Sequence, residues 1–324
     1  MKLVVPAFEI WNQESGIEGI YKQIERAGRV CYKSEDKIAE GTAKEFVLRM
    51  TKSGHTAMLE HGSIHLLQDM SKMKSTNYDM YKQLKYTIFD SHSKFEVSED
   101  EMSRRFSTNM RVIFEKTPML WDYIIEHDDL PEGLSFGEPV EDRISVHFDL
   151  QIAISREFNR HRVNSMAEQS TRYCNFGKDK FGGVNINIPS WVNSSMNELY
   201  NFPGWELPTF DELKKEYFNE DFCEDFCEVS SEDWGSIEWW LWSNYVAEET
   251  YLKLLELGRK PQEARVVLPL DTNTELVHTA FISDWKHFFE LRDDKQHAHP
   301  DAYFLAHGLH SEMIPDLYDV ANPD

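Results

Sequence analysis

Arg160-His161-Arg162-Val163-Asn164-Ser165-Met166-Ala167-Glu168-Gln169-Ser170-Thr171-Arg172-Tyr173 gathers three arginines, hydroxyl side chains and one carboxylate into a short stretch of an acidic chain. Guanidinium forks bind phosphate oxygens in bidentate fashion, so the chemistry suits a phosphorylated ligand. A solvated loop whose arginines pair with surface acids is the competing reading, and the residues alone leave both open. Upstream, Val146, Phe148 and Leu150 alternate as a buried strand would. Asp149 is placed to cap a helix through Ile152, Ile154, Arg156 and Phe158. That order delivers Arg160 to Arg162 at a helix C-terminus, where the macrodipole tolerates cations. A ligand phosphate would then rely on side chains and on the loop around Ser170. Downstream, Val184, Ile186 and Ile188 read as a further strand, ended by Pro189.

The whole chain has 324 residues and a formal net charge of -23, which argues against a broad nucleic-acid-binding surface. The same charge should repel a small anion, but the Debye length is only about 8 Å at physiological salt. A local arginine cluster therefore outweighs distant acids. Hydrophobic and charged fractions of 41% and 28% are those of a folded protein, not a disordered one. No apolar run approaches the ~20 residues a membrane span requires, and the N-terminus lacks a secretory pattern. A cytoplasmic protein without nucleic-acid or membrane partners is the expectation. The cysteines, Cys31, Cys174, Cys223 and Cys227, do not form a disulfide framework in a chain of this size. Cys223 and Cys227 have no second pair nearby to complete a zinc site.

In the N-terminal half, Ser15-Gly16-Ile17-Glu18 and Thr42-Ala43-Lys44-Glu45 both have the form of a capping box. The first helix would bury Ile17, Ile20, Tyr21, Ile24 and Ala27, the second Phe46, Val47 and Met50, with Gly54 as its stop. Gly54-His55-Thr56-Ala57-Met58-Leu59-Glu60-His61 leads into a strand at Ser63-Ile64-His65-Leu66. The six-residue separation of His55 and His61 fits no helical zinc pair, and one of these histidines reads as a satisfied core residue. Residues 67 to 100 look like a polar insert with one helix around Tyr78 to Phe89, and Thr117-Pro118 opens another helix.

Beyond the opening stretch, residues 191 to 235 are an acidic, aromatic excursion that carries little information. A long helix from about Ser236 to Leu257 follows, with Trp239, Trp240, Val246, Leu254 and Leu255 as candidate core and Gly258 as its stop. Arg265 and Arg292 read as residues that cap or pair at helix ends. His297, His299, His307 and His310 lack the paired carboxylate and fixed spacing of a metal site, so no metal is assigned.

The order Arg160-His161-Arg162, seven residues, Ser170, then Arg172-Tyr173 resembles the signature of the flavin-dependent thymidylate synthases. Glu263-Ala264-Arg265-Val266-Val267-Leu268-Pro269 and Ser283 to Arg292 resemble two further blocks of that family, as does the Gly54 to His61 run. The resemblance implies an α/β (α+β) fold, with long helices on a mostly antiparallel sheet. It implies one domain over 1–324, with inserts at 67–100 and 191–235, assembled as a homotetramer with shared active sites. The implied reaction is methylation of deoxyuridine monophosphate (dUMP) to thymidylate, with 5,10-methylenetetrahydrofolate as carbon donor, FADH2 as hydride source and NADPH as reductant.

By the same resemblance Glu157, Arg160, Glu168, Gln169, Ser170, Thr171, Arg172, Arg265 and Arg292 line the nucleotide site. His55, Arg160, His161, Arg162, Glu168 and His287 face the flavin, and Arg292 is the catalytic group, placed at O2 and N3 of the uracil. Departures occur at Glu157, where glutamine is common, at Ala57, where a small hydroxyl is common, and at Phe281 and His287, where several members carry asparagine. The family needs no cysteine nucleophile, and Cys174 is the one thiol near arginines. A related uracil-nucleotide enzyme that hydroxymethylates, and a non-catalytic nucleotide- or RNA-binding protein, are the alternatives.

Overall fold

Asn273-Thr274-Glu275-Leu276-Val277-His278-Thr279-Ala280-Phe281 is buried along its whole length and forms the central strand of the fold. In the computed structural model, which describes residues 1–177, 183–192 and 235–314, it is flanked on both sides by antiparallel partners. Named in chain order among these residues, the strands are β1 (Lys2–Val4), β2 (Ala7–Trp11), β3 (Ser63–Asp69), β4 (Lys94–Val97), β5 (Ser103–Asn109), β6 (Leu134–Phe136), β7 (Arg143–Gln151), β8 (Ser165–Glu168), β9 (Asn185–Asn187) and β10 (Asn273–Phe281). The helices are α1 (Gly16–Tyr32), α2 (Thr42–Ser53), α3 (Tyr78–Leu84), α4 (Met110–Lys116), α5 (Pro118–His127), α6 (Ile152–Phe158), α7 (Ser236–Glu256), α8 (Pro261–Ala264), α9 (Ile282–Arg292) and α10 (Pro300–Met313).

Two four-stranded antiparallel sheets result, in the orders β2-β7-β10-β8 and β4-β5-β3-β6. β1 and β9 form a separate parallel pair. The mixed α/β class with mainly antiparallel pairing is therefore the observed one, with two larger sheets in place of one.

Alternation along β7 puts its apolar side chains on one face of the sheet and its polar ones on the other. Val146, Phe148 and Leu150 face a core shared with Trp285, Phe288 and Phe289 of α9 and with Leu305 and Leu309 of α10. Val277 and Ala167, on the other face of the same sheet, join a core built from α1, α2 and the second sheet. In that core Ile17, Ile20, Tyr21, Ile24, Ala27, Phe46, Val47 and Met50 are all buried, as their helical spacing requires. A third core joins β1 and β9 to α7.

Several local expectations change. Ser15 is the N-cap of α1 but makes no side-chain cap bond, and Gly16 behind it sits at φ 79°. α2 begins at Thr42 itself, with Gly41 as N-cap, so the box is out of register. The Thr42 hydroxyl instead bonds Ala39 and Glu25. Asp149 does not cap α6: β7 runs on to Gln151, and the Asp149 carboxylate accepts from Asn273. In α7 Trp239 is exposed, whereas Leu241, Asn244, Glu248 and Tyr251 are buried. Two polar residues on that inward face shift the apparent hydrophobic stripe, and Glu248 accepts the Val184 N–H at 2.8 Å.

Residues 67 to 100 are tied into the second sheet. They include the end of β3, all of β4, and α3 with buried Met80, Tyr81 and Leu84. Most of the 191–235 stretch, with Cys223 and Cys227, lies outside the described residues. No helix among the described residues is long and apolar enough to cross a membrane.

Candidate functional site

The strand-to-helix step from β7 into α6 sets the site's geometry. Ile152 N–H donates to Thr272 O and Ala153 N–H to Leu270 O, which fixes the start of α6 against the segment before β10. At the other end Arg160 N–H returns to Glu157 O at 3.2 Å and His161 N–H to Phe158 O at 3.1 Å. The three basic residues thus follow the helix C-terminus, as the sequence order requires. Asn164 N–H then bonds His161 O, and β8 carries the chain to Glu168. Gln169 N–H is held by Glu275 O of β10 and Ser170 N–H by Cys31 O of α1.

Two cavities flank this segment. The first, about 650 Å³, is lined by Glu168, Ser170, Thr171, Arg172, Arg265 and, from α6, Arg156. Arg265 Nη1 donates to Thr171 Oγ1 at 2.9 Å, which joins the two walls. The Glu168 carboxylate accepts from neutral donors, Ser155 Oγ at 2.7 Å and Asn159 Nδ2 at 3.0 Å, and pairs with none of the cavity's arginines.

The second cavity, about 170 Å³, is lined by Arg160, His161, Arg162, Asp284, His287 and Arg292. Arg292, the last residue of α9, donates from Nη1 to Glu157 Oε2 at 2.8 Å and from Nη2 to the Glu157 carbonyl at 2.9 Å. Its Nε–H points at His161 Nε2 at 3.3 Å. A donor on that side makes Nε2 the acceptor and places the imidazole proton on Nδ1. Burial, with Arg292 and His287 nearby, lowers the His161 pKa to about 4, so the ring is neutral at physiological pH.

The expected site residues therefore divide. Glu168, Gln169, Ser170, Thr171, Arg172 and Arg265 come together at the first cavity or its wall. Arg160, His161, Arg162, His287 and Arg292 meet at the second, with Glu157 joined to them through Arg292. His55 stands apart from the second group. Its ring stacks on Tyr32, which in turn contacts Tyr173, next to Arg172. His61 is the core histidine, fully buried with Nδ1 bonded to Thr279 Oγ1 at 2.8 Å.

Carboxylate pairing divides the arginines, and among the described residues nine of the fourteen, Arg49, Arg104, Arg143 and Arg259 included, hold no carboxylate at ion-pair distance. Arg26, Arg29, Arg105, Arg111 and Arg292 each hold a carboxylate. Among the described residues, Arg156, Arg160, Arg162, Arg172 and Arg265 are within ion-pair distance of none, in a chain with 57 acidic residues. Arg156 was not among the expected site residues. Its signal was present, because it is a further arginine on the helix that leads into the stretch.

Among the described residues, neither thiol is placed as a nucleophile. Cys174 is buried at 1% exposure, and burial pushes neighbouring Cys31 up to about 11. His307 and His310 both turn Nδ1 toward Asp293, at 2.8 and 2.7 Å, and His297 turns toward Asp294. Asp293 directly follows Arg292, so this buried carboxylate anchors the helix end that presents the guanidinium.

Fold and site together define an α/β protein with two arginine-lined cavities beside the segment from α6 to β8. The profile of the thymidylate synthase complementing protein family (Thy1) matches residues 138–315, more than half of the chain and both cavities. The chain belongs to that family. It is 28% identical over 181 residues to a flavin-dependent thymidylate synthase of Kosmotoga olearia, an alignment covering 56% of this chain and 64% of that protein. The chain thus spans less than two thirds of that relative's length. Among solved structures it is similar to the UMP/dUMP methylase PolB of Streptomyces cacaoi, in complexes with 5-Br dUMP and 5-Br UMP. The first likeness has 16% identity and a TM-score of 0.40, covering 99% of this chain and 97% of that one. The second has 14% identity and a TM-score of 0.41, covering 98% and 95%.

Proposed function

We propose that this protein is a flavin-dependent thymidylate synthase, which methylates dUMP with 5,10-methylenetetrahydrofolate as carbon donor and NADPH as reductant. The observation that carries the reading is the set of five arginines around α6 and β8 that have no carboxylate partner among the described residues. Family membership and the Kosmotoga olearia relative support the same reading. In this assignment the first cavity takes the nucleotide phosphate and sugar through Ser170, Thr171, Arg172 and Arg265, with Gln169 and Glu168 on its wall. Arg160 and Arg162, beside neutral His161 and with His287 as a further contact, suit the diphosphate of FAD, and His55, which stands apart in this subunit, would face the flavin of another. Reduced FAD would supply the hydride.

Arg292 is the catalytic group. Methylation at C5 moves negative charge onto the uracil O2 and N3 edge, and a guanidinium already held in place stabilises that charge without reorganising. Three of the five Arg292 N–H groups are engaged by Glu157 and His161. The remaining N–H on each Nη is available to the ring. Glu157 thereby has its charge partner beside an anionic substrate. The small volume of the second cavity supports shared sites in a homotetramer, since the flavin would need walls from another subunit. The 67–100 and 191–235 stretches are read as inserts on a single domain.

The test is the purified protein's spectrum together with the mass of the product. Bound flavin and deuteride transfer into a methyl group on dUMP are expected. A product heavier by one oxygen would identify a hydroxymethylating enzyme instead, and a protein that takes up no FAD would favour a binding role. Within this reading, Ser170→Ala removes one charge-assisted contact, worth roughly 1.5–3 kcal/mol. Titration should show about a 10- to 100-fold loss of dUMP affinity with flavin binding unchanged. Unaltered dUMP affinity would take Ser170 out of the site.

A further inference from the structure

Arg156 occupies the last turn of α6 and lines the same cavity as Ser170, Arg172 and Arg265, yet the family-based site assignment passes over it. It is exposed, and no carboxylate of the described residues pairs with it. The nearest acid on that wall, Glu168, is already committed to Ser155 and Asn159. Arg265, by contrast, is held toward the cavity through its bond to Thr171. Arg172 lies against the ring of Tyr173, its Cζ 5.5 Å from the centroid. Three guanidiniums from three separate segments therefore line one cavity, and the carboxylate on its wall, Glu168, pairs with none of them.

We propose that Arg156 completes a three-guanidinium cradle with Arg172 and Arg265, and that this cradle selects a phosphomonoester dianion over a monoanionic phosphodiester. Three forks offer more N–H donors than a singly charged diester, with its two esterified oxygens, can engage. A dianion presents three terminal oxygens and a second charge. Arg156 is thus a specificity-determining residue for the phosphate form of the ligand. The inference rests on the reading that this cavity holds the nucleotide.

The experiment is calorimetric titration of the flavin-loaded full chain with dUMP, the 5′-methyl phosphodiester of dUMP, and deoxyuridine. Wild type should prefer dUMP to the diester by about tenfold or more. In Arg156→Gln, dUMP affinity should fall about tenfold or more and the preference should shrink, with deoxyuridine binding unchanged. Arg156→Lys should recover part of the preference, since it restores the charge without the fork. Thermal unfolding of each variant serves as a folding control. If Arg156→Gln keeps the wild-type preference while Arg172→Ala loses it, Arg156 is not part of the cradle. If wild type itself fails to bind dUMP, the nucleotide reading falls and takes the cradle with it.

Discussion

Arg292→Lys is expected to slow product formation in a single turnover with pre-reduced flavin by about 10²-fold, the scale for losing one oxyanion-type donor. Lysine keeps the positive charge but has no planar fork. In the native protein Arg292 is bonded by Nη1 and Nη2 to Glu157 and directs Nε at His161. An ammonium could replace one of these contacts and could not also address two positions of a pyrimidine edge. The buried Asp293 anchor at the end of α9 should hold the backbone in place, so the loss is one of donor geometry. Flavin binding should survive, and dUMP affinity should fall less than the rate because the first cavity retains its arginines. Equal losses in affinity and rate would make Arg292 a uniform binding contact. A near-native rate would remove it from catalysis.

How far the sequence carried this picture depended on burial. The two N-terminal helices were readable because each buries one face, and β7 because its even-numbered residues are apolar and its odd-numbered ones polar. β10 was not readable as a strand: it is buried on both faces, so alternation gives no signal. α7 was placed within a residue at either end, but buried Asn244 and Glu248 concealed its inward face. Both capping boxes were sound as patterns, yet Gly16 and Gly41 alter the entry to the helix and the hydroxyls find other partners.

For the site, the Arg160 to Tyr173 stretch was legible because planar cations and hydroxyls cluster there against the composition of the chain. Its division into two cavities was not, since Arg265 and Arg292 reach it from elements about a hundred residues away. Arg156 could have been found as a further arginine on the helix that leads into the stretch. No sequence signal gave the buried pairing of His61 with Thr279, which exists only because β10 passes behind it.

The other large effect expected is on stability against acid. Three imidazoles are held neutral near one another: His61, with its pKa lowered to about 4, His161, lowered to about 4, and His278, lowered well below its usual value. Burial is the main cause for each. Arg143 adds to it for His61 and His278, as does Arg292 for His161, while Glu60 opposes it for His61. In the unfolded chain these groups take up protons near 6.5. Above that pH both states are neutral and the stability is fully present. As the pH falls below 6.5 the unfolded chain binds protons that the fold excludes, so stability is lost progressively down to the folded pKa.

Each such group contributes a slope of about 1.4 kcal/mol per pH unit within this window. Carboxylates ordinarily titrate lower, so the loss between pH 6.5 and 5 should belong mainly to the histidines. Urea unfolding at pH 7, 6 and 5 should therefore show a steep fall in unfolding free energy. His61→Asn places an amide near the Nδ1 position, where it can still meet Thr279, but has no proton to gain. It should be less stable at pH 7 and lose less on acidification, with a slope shallower by about one group's share. Stability that stays level from pH 7 to 5, or an unchanged slope in His61→Asn, would mean that His61 is not the buried neutral imidazole its position behind β10 requires.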